Sequence, residues 1–217
     1  MISMDSKKNN SDFVWQKIWE NNNLIQKILG VAREKYTSVF MNIIHSELNH
    51  ETNFLEIGSG SGTFTIEIAK HVKKSTGIDL SSNAIKMSTN KAKAVNSKAS
   101  FIIADCFNLP FKDNYFDVIW SQGFLQAIPK PTDCLKEQLR VCKKNGVILA
   151  TVPAKYSYLW VFRKITKTFF LNFLWPWPEQ IFYSKKDFLN LGLKISKNAE
   201  VSSEGILKEL ILLKIRK

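Results

Sequence analysis

The chain has 217 residues, 45% apolar and 12% aromatic, which is enough for one domain with a sizeable core. Its net charge of +12 favours polyanionic partners, either nucleic acid or anionic lipid, but the lysines are scattered and a solvated basic surface explains the charge equally well. Three cysteines without metal-ligand spacing argue against a disulfide framework and a metal site, and the polar N-terminus predicts a cytoplasmic protein without a signal peptide.

The first 52 residues predict a polar tail followed by a helical cap. Residues 1–12 are polar, and apolar residues then recur at helical spacing from Phe13 to about Leu48, with a break at 21–23. The second helix carries an apolar stripe made of Tyr36, Val39, Phe40, Ile43 and Ile44. We predict that this cap precedes one larger unit, residues 53–217.

From residue 53 onward, short apolar strands alternate with amphipathic helices. The predicted strands are 53–57, 75–80, 100–104, 116–120 and 147–152, and the predicted helices are 63–72, 81–95 and 134–144, the last ended by Asn145-Gly146. Two further strand candidates, 194–201 and 208–217, are close enough in sequence to pair antiparallel. This order predicts an α/β fold with a Rossmann-like, doubly wound, mostly parallel sheet and an antiparallel edge strand.

The connection between the first strand and the first helix of this unit is rich in glycine. Gly58, Gly60 and Gly62 follow Glu56 in the sequence E-I-G-S-G-S-G. Ligands of doubly wound sheets bind beyond the carboxyl ends of the strands, and glycine lets a backbone turn tightly and approach a ligand closely. The dinucleotide fingerprint G-x-G-x-x-G does not fit, because Thr63 stands at its third glycine. A tight turn without a ligand is the simplest alternative.

Carboxylates follow the next two predicted strands. Asp79 ends the second strand in GIDLS, and Asp105 follows the third strand in IIADCFNLPF. An acid at the end of the second strand accepts hydrogen bonds from ribose hydroxyls in dinucleotide-binding folds. Capping of the next helix is the alternative role for Asp79, and Ser81 competes for that role.

Together with NYFDVIWSQGFLQAI, residues 114–128, these motifs resemble class I S-adenosylmethionine-dependent methyltransferases, which carry the E-x-G-x-G-x-G turn. The resemblance runs from about residue 53 to 153 and is closest to the small-molecule group that includes ubiquinone/menaquinone-biosynthesis and sterol-type enzymes. It implies S-adenosyl-L-methionine as cofactor and S-adenosyl-L-homocysteine as product. It also implies a small, hydrophobic, lipid- or quinone-like methyl acceptor.

The resemblance implies roles for individual residues. Asp79 is expected to bind the ribose, Asp105 the adenine amino group, and the backbone N–H of Cys106 a ring nitrogen. The backbone carbonyl near Ser121 is expected to meet the methionine ammonium, and Leu80 to pack against adenine. The implied cofactor-binding set is Glu56, Gly58, Gly60, Gly62, Asp79, Leu80, Asp105, Cys106 and Ser121.

The segment after the fourth strand departs from a pattern common in the family. Many relatives carry a histidine there, whereas this chain has Gln126 and Ala127. A general base is needed only if the acceptor must lose a proton, so we assign no catalytic residue. Gln126 is the candidate hydrogen-bond partner of the acceptor.

Residues 155–190 form an aromatic and basic insert before the last two strands. This zone commonly forms the acceptor cap in the resembled family, which makes Trp160 and Phe162 candidate pocket residues. Basic residues at 163–167 fall on one side of a predicted helix. Such a helix can contact an anionic membrane surface peripherally, line an acceptor pocket or pack onto the sheet.

Two other functions are compatible with the sequence. The basic charge favours a tRNA or rRNA methyltransferase, although SQGF at 121–124 does not resemble the N-P-P-Y-type tetrad of many base-methylating enzymes. The missing histidine favours a catalytically silent cofactor-binding protein.

Overall fold

The computed structural model describes residues 36–169 and 180–217. Predictions about the polar tail and the first helix of the cap therefore lie outside the described residues, and so does the part of the aromatic and basic insert at 170–179. Residues 36–44 are helical, as the apolar stripe predicts, and Phe40 and Ile44 on that stripe are buried. We label this helical stretch α1.

Seven strands form one sheet in the order β3-β2-β1-β4-β5-β7-β6. Their bounds are β1 Asn53–Ile57, β2 Lys74–Asp79, β3 Ser100–Ile103, β4 Phe116–Gln122, β5 Cys142–Pro153, β6 Ala199–Glu204 and β7 Leu210–Arg216. Strands β1 to β5 run parallel, and β7 pairs antiparallel with both β5 and β6. The predicted doubly wound, mostly parallel sheet with an antiparallel edge is confirmed.

Helices connect the strands, and serine side chains cap the starts of two of them. Their bounds are α2 Thr63–Ile68, α3 Ser82–Ala94, α4 Pro131–Val141, α5 Tyr158–Thr168 and α6 Lys185–Leu193. Ser81 caps α3, since its hydroxyl accepts a hydrogen bond from the N–H of Ala84 at 3.3 Å. Ser184 caps α6 in the same way through Asp187. Because Ser81 caps α3, the Asp79 side chain is not required for that role.

Both faces of the sheet are covered by apolar side chains. On one face, Leu55 and Ile119 belong to a core that extends to α4 and α6. On the other, Phe54 and Trp120 belong to a second core that includes Phe40 of α1. Neighbouring residues of one strand therefore point into different cores, which is the burial expected of a sheet sandwiched between helices.

The predicted end of α4 is wrong. The helix ends at Val141, and Asn145 and Gly146, expected to stop it, lie inside β5. Asn145 has a positive φ of 64°, and the pairing register between β4 and β5 shifts there, so these residues form a strand irregularity. A side chain on Gly146 would approach the carbonyl oxygen of Asp117 to 2.8 Å, which explains the glycine.

Helix α2 and strand β6 also differ from their predicted bounds. Helix α2 ends at Ile68 rather than at residue 72. Strand β6 begins at Ala199 rather than at residue 194, because the N–H groups of Ile195 and Ser196 bond the carbonyl of Gly192 and close the last turn of α6. The following residues then lead into the strand that pairs with β7.

The sheet topology fixes where a ligand is expected. β1 lies between β2 on one side and β4 on the other, so the connections leaving β1 and β4 diverge to opposite sides of the sheet. Ligands of such sheets bind at this switch point, beyond the carboxyl ends of the strands. The turn between β1 and α2 stands at that position, on the side of the sheet that we call the carboxyl edge.

Candidate functional site

The glycine-rich turn is held in a conformation that favours glycine. Gly58, Gly60 and Gly62 have φ values of +72°, +49° and +69°, all in the left-handed region. Within the turn, the N–H of Ser59 bonds the carbonyl of Ile78 at 2.8 Å. The turn is thereby anchored to the end of β2.

Close packing gives two of these glycines a second reason to lack a side chain. A Cβ on Gly58 would lie 2.5 Å from the ring of Phe124, which comes from the turn after β4. A Cβ on Gly62 would lie 2.6 Å from both Ser88 of α3 and Phe101 of β3. The turn is therefore packed between α3, β3 and the segment that follows β4.

Asp79 lies directly beside the turn. Its Oδ2 accepts a hydrogen bond from the N–H of Gly60 at 3.0 Å, and its Oδ1 accepts one from the N–H of Ser81 at 2.9 Å. Burial raises the pKa of Asp79, and these backbone donors lower it in part. A carboxylate has about four acceptor positions, so Asp79 retains capacity for a ligand hydroxyl group.

Asp105 lies on the neighbouring strand connection at the same edge. Ile103, the last residue of β3, is the register partner of Asp79, and the N–H of Ala104 bonds the carbonyl of Asp79 at 3.1 Å. The carboxylate of Asp105 accepts a hydrogen bond from the N–H of Phe107 at 3.0 Å. The structure therefore brings the ends of β2 and β3, which carry the two predicted aspartates, to one place.

Apolar side chains at these strand ends are left uncovered. Leu80, directly after β2, is 47% exposed, and Ile103, at the end of the edge strand β3, is 54% exposed. Such surface can pack against the flat face of a nucleobase. The sequence indicated Leu80 but not Ile103, because Ile103 lies inside the predicted strand SFIIA. No signal in the sequence separates Ile103 from its core neighbours.

Glu56 is buried in β1 and is bonded to α2. Its carboxyl group accepts a hydrogen bond from the hydroxyl of Thr65. Burial raises the pKa of Glu56 to about 8, while Thr65 lowers it in part and the charge of Asp79 raises it further. At neutral pH the side chain is therefore largely protonated and links β1 to α2. Its direct participation in cofactor binding stays a prediction.

Several buried polar side chains at the carboxyl edge have no hydrogen-bond partner among the described residues. They are the hydroxyls of Ser59, Ser121 and Thr151 and the side-chain oxygen of Gln126. An unpaired buried polar atom costs about 1–3 kcal/mol. Four such atoms near the ends of β1, β4 and β5 fit a polar ligand that supplies the missing partners.

The other predicted residues are placed as follows. Cys106 is buried, and the neighbouring Cys134 together with burial raises the pKa of its thiol. Gln126 lies in the turn after β4, and its backbone carbonyl accepts a hydrogen bond from the N–H of Ile181 at 3.1 Å. Trp160 and Phe162 lie on α5; Trp160 packs its ring against Tyr156, and Phe162 is 42% exposed. Their position in an acceptor pocket stays a prediction.

The loop after Asp105 is fastened by an arginine that the sequence did not single out. Arg140 of α4 donates to the carbonyls of Phe111 and Leu109 at 2.8 and 2.9 Å. It also pairs with Asp113 at 2.7 Å and with Glu137 at 2.9 Å. Arg140 therefore holds the loop that begins at the third strand end.

Comparisons with known proteins concern the domain as a whole. Residues 55–150 match the model of a family described as a methyltransferase domain. A demethylmenaquinone methyltransferase from Staphylococcus haemolyticus is 27% identical over 191 residues, which are 86% of this chain and 78% of that protein. A sterol 4-C-methyltransferase from Caenorhabditis elegans is 31% identical over 102 residues, 46% of this chain and 30% of that protein.

A solved structure supports the fold over nearly the whole chain. Magnesium protoporphyrin IX methyltransferase from Synechocystis, with bound SAH, superimposes with a TM-score of 0.70 at 16% identity and covers 94% of this chain and 93% of that one. The structural likeness shows the fold. The matched methyltransferase domain and the methyltransferase relatives identify an S-adenosylmethionine-dependent methyltransferase, whose cofactor is S-adenosyl-L-methionine.

Two other kinds of feature are absent from the residues that the structure describes. Within residues 36–169 and 180–217, no helix combines the length and the apolar character that crossing a bilayer requires. In the same part of the chain, histidine, cysteine, aspartate and glutamate side chains form no group of three or more that could hold a metal ion.

Proposed function

We propose that the enzyme transfers the methyl group to a small, hydrophobic, lipid- or quinone-like acceptor that enters at the carboxyl edge under residues 155–190. The names of the two relatives, a demethylmenaquinone and a sterol methyltransferase, support this class of acceptor. The buried oxygen of Gln126, which has no partner among the described residues, is suited to bond a hydroxyl group of such a molecule.

The observation that carries the proposal is the contact between the glycine turn and Asp79. The 3.0 Å hydrogen bond from Gly60 sets the carboxylate beside the turn, where it can accept hydrogen bonds from the ribose. We extend this to Asp105 for the adenine amino group and to Leu80 and Ile103 for the faces of the base. Residues 53–217 would then form the catalytic unit and residues 1–52 a cap.

The expected chemistry places modest demands on the side chains. The bound sulfonium cofactor supplies an already activated methyl group. The protein then has to align the acceptor and exclude water, and alignment alone can lower a barrier by about 7–11 kcal/mol. A site of apolar walls with few polar atoms, such as Gln126 and Ser121, suits this task.

Calorimetric titration with S-adenosylmethionine and S-adenosylhomocysteine tests the cofactor site. We expect Asp79→Ala to weaken binding by about 1–3 kcal/mol, because hydrogen bonds to an ionised group are lost. Asp133→Ala is a matched control, since that carboxylate is half exposed on α4 and its ion-pair partner among the described residues is Lys136. Equal affinity of the Asp79 variant and the wild type would refute the assignment of the ribose site.

The acceptor is tested by incubating the enzyme with radiolabelled cofactor and a cell extract, followed by separation into lipid, RNA, protein and soluble fractions. The proposal predicts label in the lipid fraction. Label in RNA would instead identify a tRNA or rRNA methyltransferase. Cofactor binding without label in any fraction would identify a catalytically silent protein.

A further inference from the structure

Helix α5 presents an apolar stripe to the outside of the protein. Its members share helical spacing and are all between 42% and 67% exposed: Tyr158, Val161, Phe162, Ile165 and Phe169 just beyond the helix end. At about 100° per residue they fall within one arc of roughly 100°. Thr166 is the one buried residue of α5. A helix of a globular protein normally buries its apolar stripe, so this exposure requires an explanation.

A second apolar element lies beside the start of α5. Ile206 and Leu207, in the turn between β6 and β7, are 64% and 71% exposed. The buried carboxylate of Glu209 connects this turn to α5. It accepts hydrogen bonds from the N–H of Leu207 at 2.8 Å and from the hydroxyl of Tyr36. The same Tyr36 hydroxyl lies 3.3 Å from that of Tyr158 on α5.

These hydrogen bonds join the stripe and the turn into one surface at the carboxyl edge. We call it the docking face and define it by its members: Tyr158, Val161, Phe162, Ile165, Phe169, Ile206 and Leu207. Glu209 and Tyr36 fix the relative position of its two elements. Burial and the hydrogen bond to Glu209 raise the pKa of Tyr36, so this tyrosine stays neutral and can donate at physiological pH.

Charge identifies the partner of the docking face. No aspartate or glutamate occurs between Glu137 and Glu179, so the whole sequence around α5 is free of acids. Basic side chains at 155, 163, 164, 167 and 208 accompany the exposed apolar residues. A second copy of this chain would bring the same cations together, and the net charge of +12 opposes such pairing. An anionic bilayer can take up the exposed apolar side chains below its headgroups and attract the basic side chains through the negative charge of those headgroups.

We propose that the docking face inserts into the interface of an anionic bilayer, with the basic side chains of α5 at the level of the headgroups. At the same helical spacing Lys164 lies nearest to the apolar stripe, and Arg163 and Lys167 lie on the opposite side of α5. Long lysine and arginine side chains can extend from there toward the headgroups. The inference deepens the proposed function, because it would place the carboxyl edge where a lipid-like acceptor is dissolved. Vesicle binding itself does not depend on methyl transfer.

Co-sedimentation of the full chain with vesicles tests this inference. We expect binding to mixed phosphatidylcholine–phosphatidylglycerol vesicles, weaker binding to phosphatidylcholine alone, and a loss of binding with added salt. Val161→Glu combined with Ile165→Glu should reduce the partition coefficient about tenfold or more, because burial of two aliphatic side chains is lost. Val95→Glu, at a 58% exposed position just beyond α3 and outside the docking face, should leave it unchanged.

A charge-matched pair of variants tests the electrostatic part. Lys164→Glu with Lys167→Glu should lower partitioning at least about 20-fold, since each cation near a membrane contributes roughly fivefold or more. Lys86→Glu with Lys93→Glu on α3 changes the net charge equally and should have a much smaller effect. Unchanged affinity for S-adenosylhomocysteine in all variants would show that they remain folded.

Three results would overturn the inference. The first is wild-type protein that does not bind the anionic vesicles. The second is equal loss of binding in the two lysine pairs, which would mean that net charge rather than the docking face is responsible. The third is a dimer, seen by analytical ultracentrifugation, that Val161→Glu with Ile165→Glu abolishes. Methylation of lipid without vesicle binding would refute this inference alone, and vesicle binding without cofactor binding would refute the proposed function alone.

Discussion

Glu56 provides a quantitative test of the electrostatics beneath the glycine turn. The perturbation is Glu56→Gln, which keeps the shape of the side chain and its hydrogen bond with Thr65 but removes the titration. Burial raises the pKa of this carboxyl from an ordinary value of 4.5 to about 8 in the folded protein. The folded state therefore holds a proton that the unfolded state releases between these two pH values.

The sign and size of the effect follow from this difference. Because the folded state binds the extra proton, the free energy of unfolding falls as the pH rises from about 4.5 to about 8. One pKa unit corresponds to 1.36 kcal/mol, so the fall reaches about 5 kcal/mol if the whole rise is realised. The Glu56→Gln variant lacks this contribution, and its stability relative to the wild type should increase steadily over the same interval.

Urea unfolding of the cofactor-free protein at a series of pH values between 5 and 8 measures the effect. Glu200→Gln is the control, because that carboxyl is 70% exposed and its removal should leave the pH dependence of the wild type intact. Parallel pH profiles for the wild type and Glu56→Gln would refute the reasoning. They would mean that Glu56 is ionised in the folded protein and that its burial is compensated.

Two further predictions concern the turn and the loop beside it. Gly62→Ala should destabilise the protein by about 2–4 kcal/mol, through a positive φ of 69° and a Cβ placed 2.6 Å from its neighbours. Gly123→Ala, with a φ of 57° and a nearest contact of 3.3 Å, should cost only about 1 kcal/mol, and equal costs in urea unfolding would contradict this. Arg140→Ala should cost about 1–3 kcal/mol of stability and weaken S-adenosylhomocysteine binding, because the loop carbonyls of Leu109 and Phe111 lose their donor. If calorimetry shows unchanged affinity in this variant, the loop held by Arg140 does not contribute to cofactor binding.

The sequence predicted those features of the fold and the site that depend on nearby residues or on the order of the strands. The turn at Gly58–Gly62 and the position of Asp79 follow from the order of strands and helices, since parallel strands bring their carboxyl ends to one edge. The sequence allowed either Asp79 or Ser81 as the N-cap of α3, and the hydrogen bond from the N–H of Ala84 to the hydroxyl of Ser81 identifies Ser81. These features depend on residues a few positions apart or on strand order alone.

Features that depend on distant partners could not be predicted. Asn145-Gly146 is a common helix-ending signal, but here the pairing of β5 with β4 near Asp117 makes it a strand irregularity. Glu209 was not singled out, because its partner Tyr36 lies 173 positions away in the sequence. The contact of Phe124 with Gly58 likewise joins segments that only the folded sheet brings together.

The position of β7 inside the sheet has a consequence for biosynthesis. β5 ends at Pro153, while the strand that covers its free side begins only at Leu210. In a nascent chain on the ribosome, the edge of β5, which contains valine and isoleucine, therefore stays unpaired until the segment up to β7 has been translated. An unpaired strand edge can form hydrogen bonds with strands of other chains. Rapid overproduction should therefore yield inclusion bodies, and slower translation or additional chaperone should recover soluble protein.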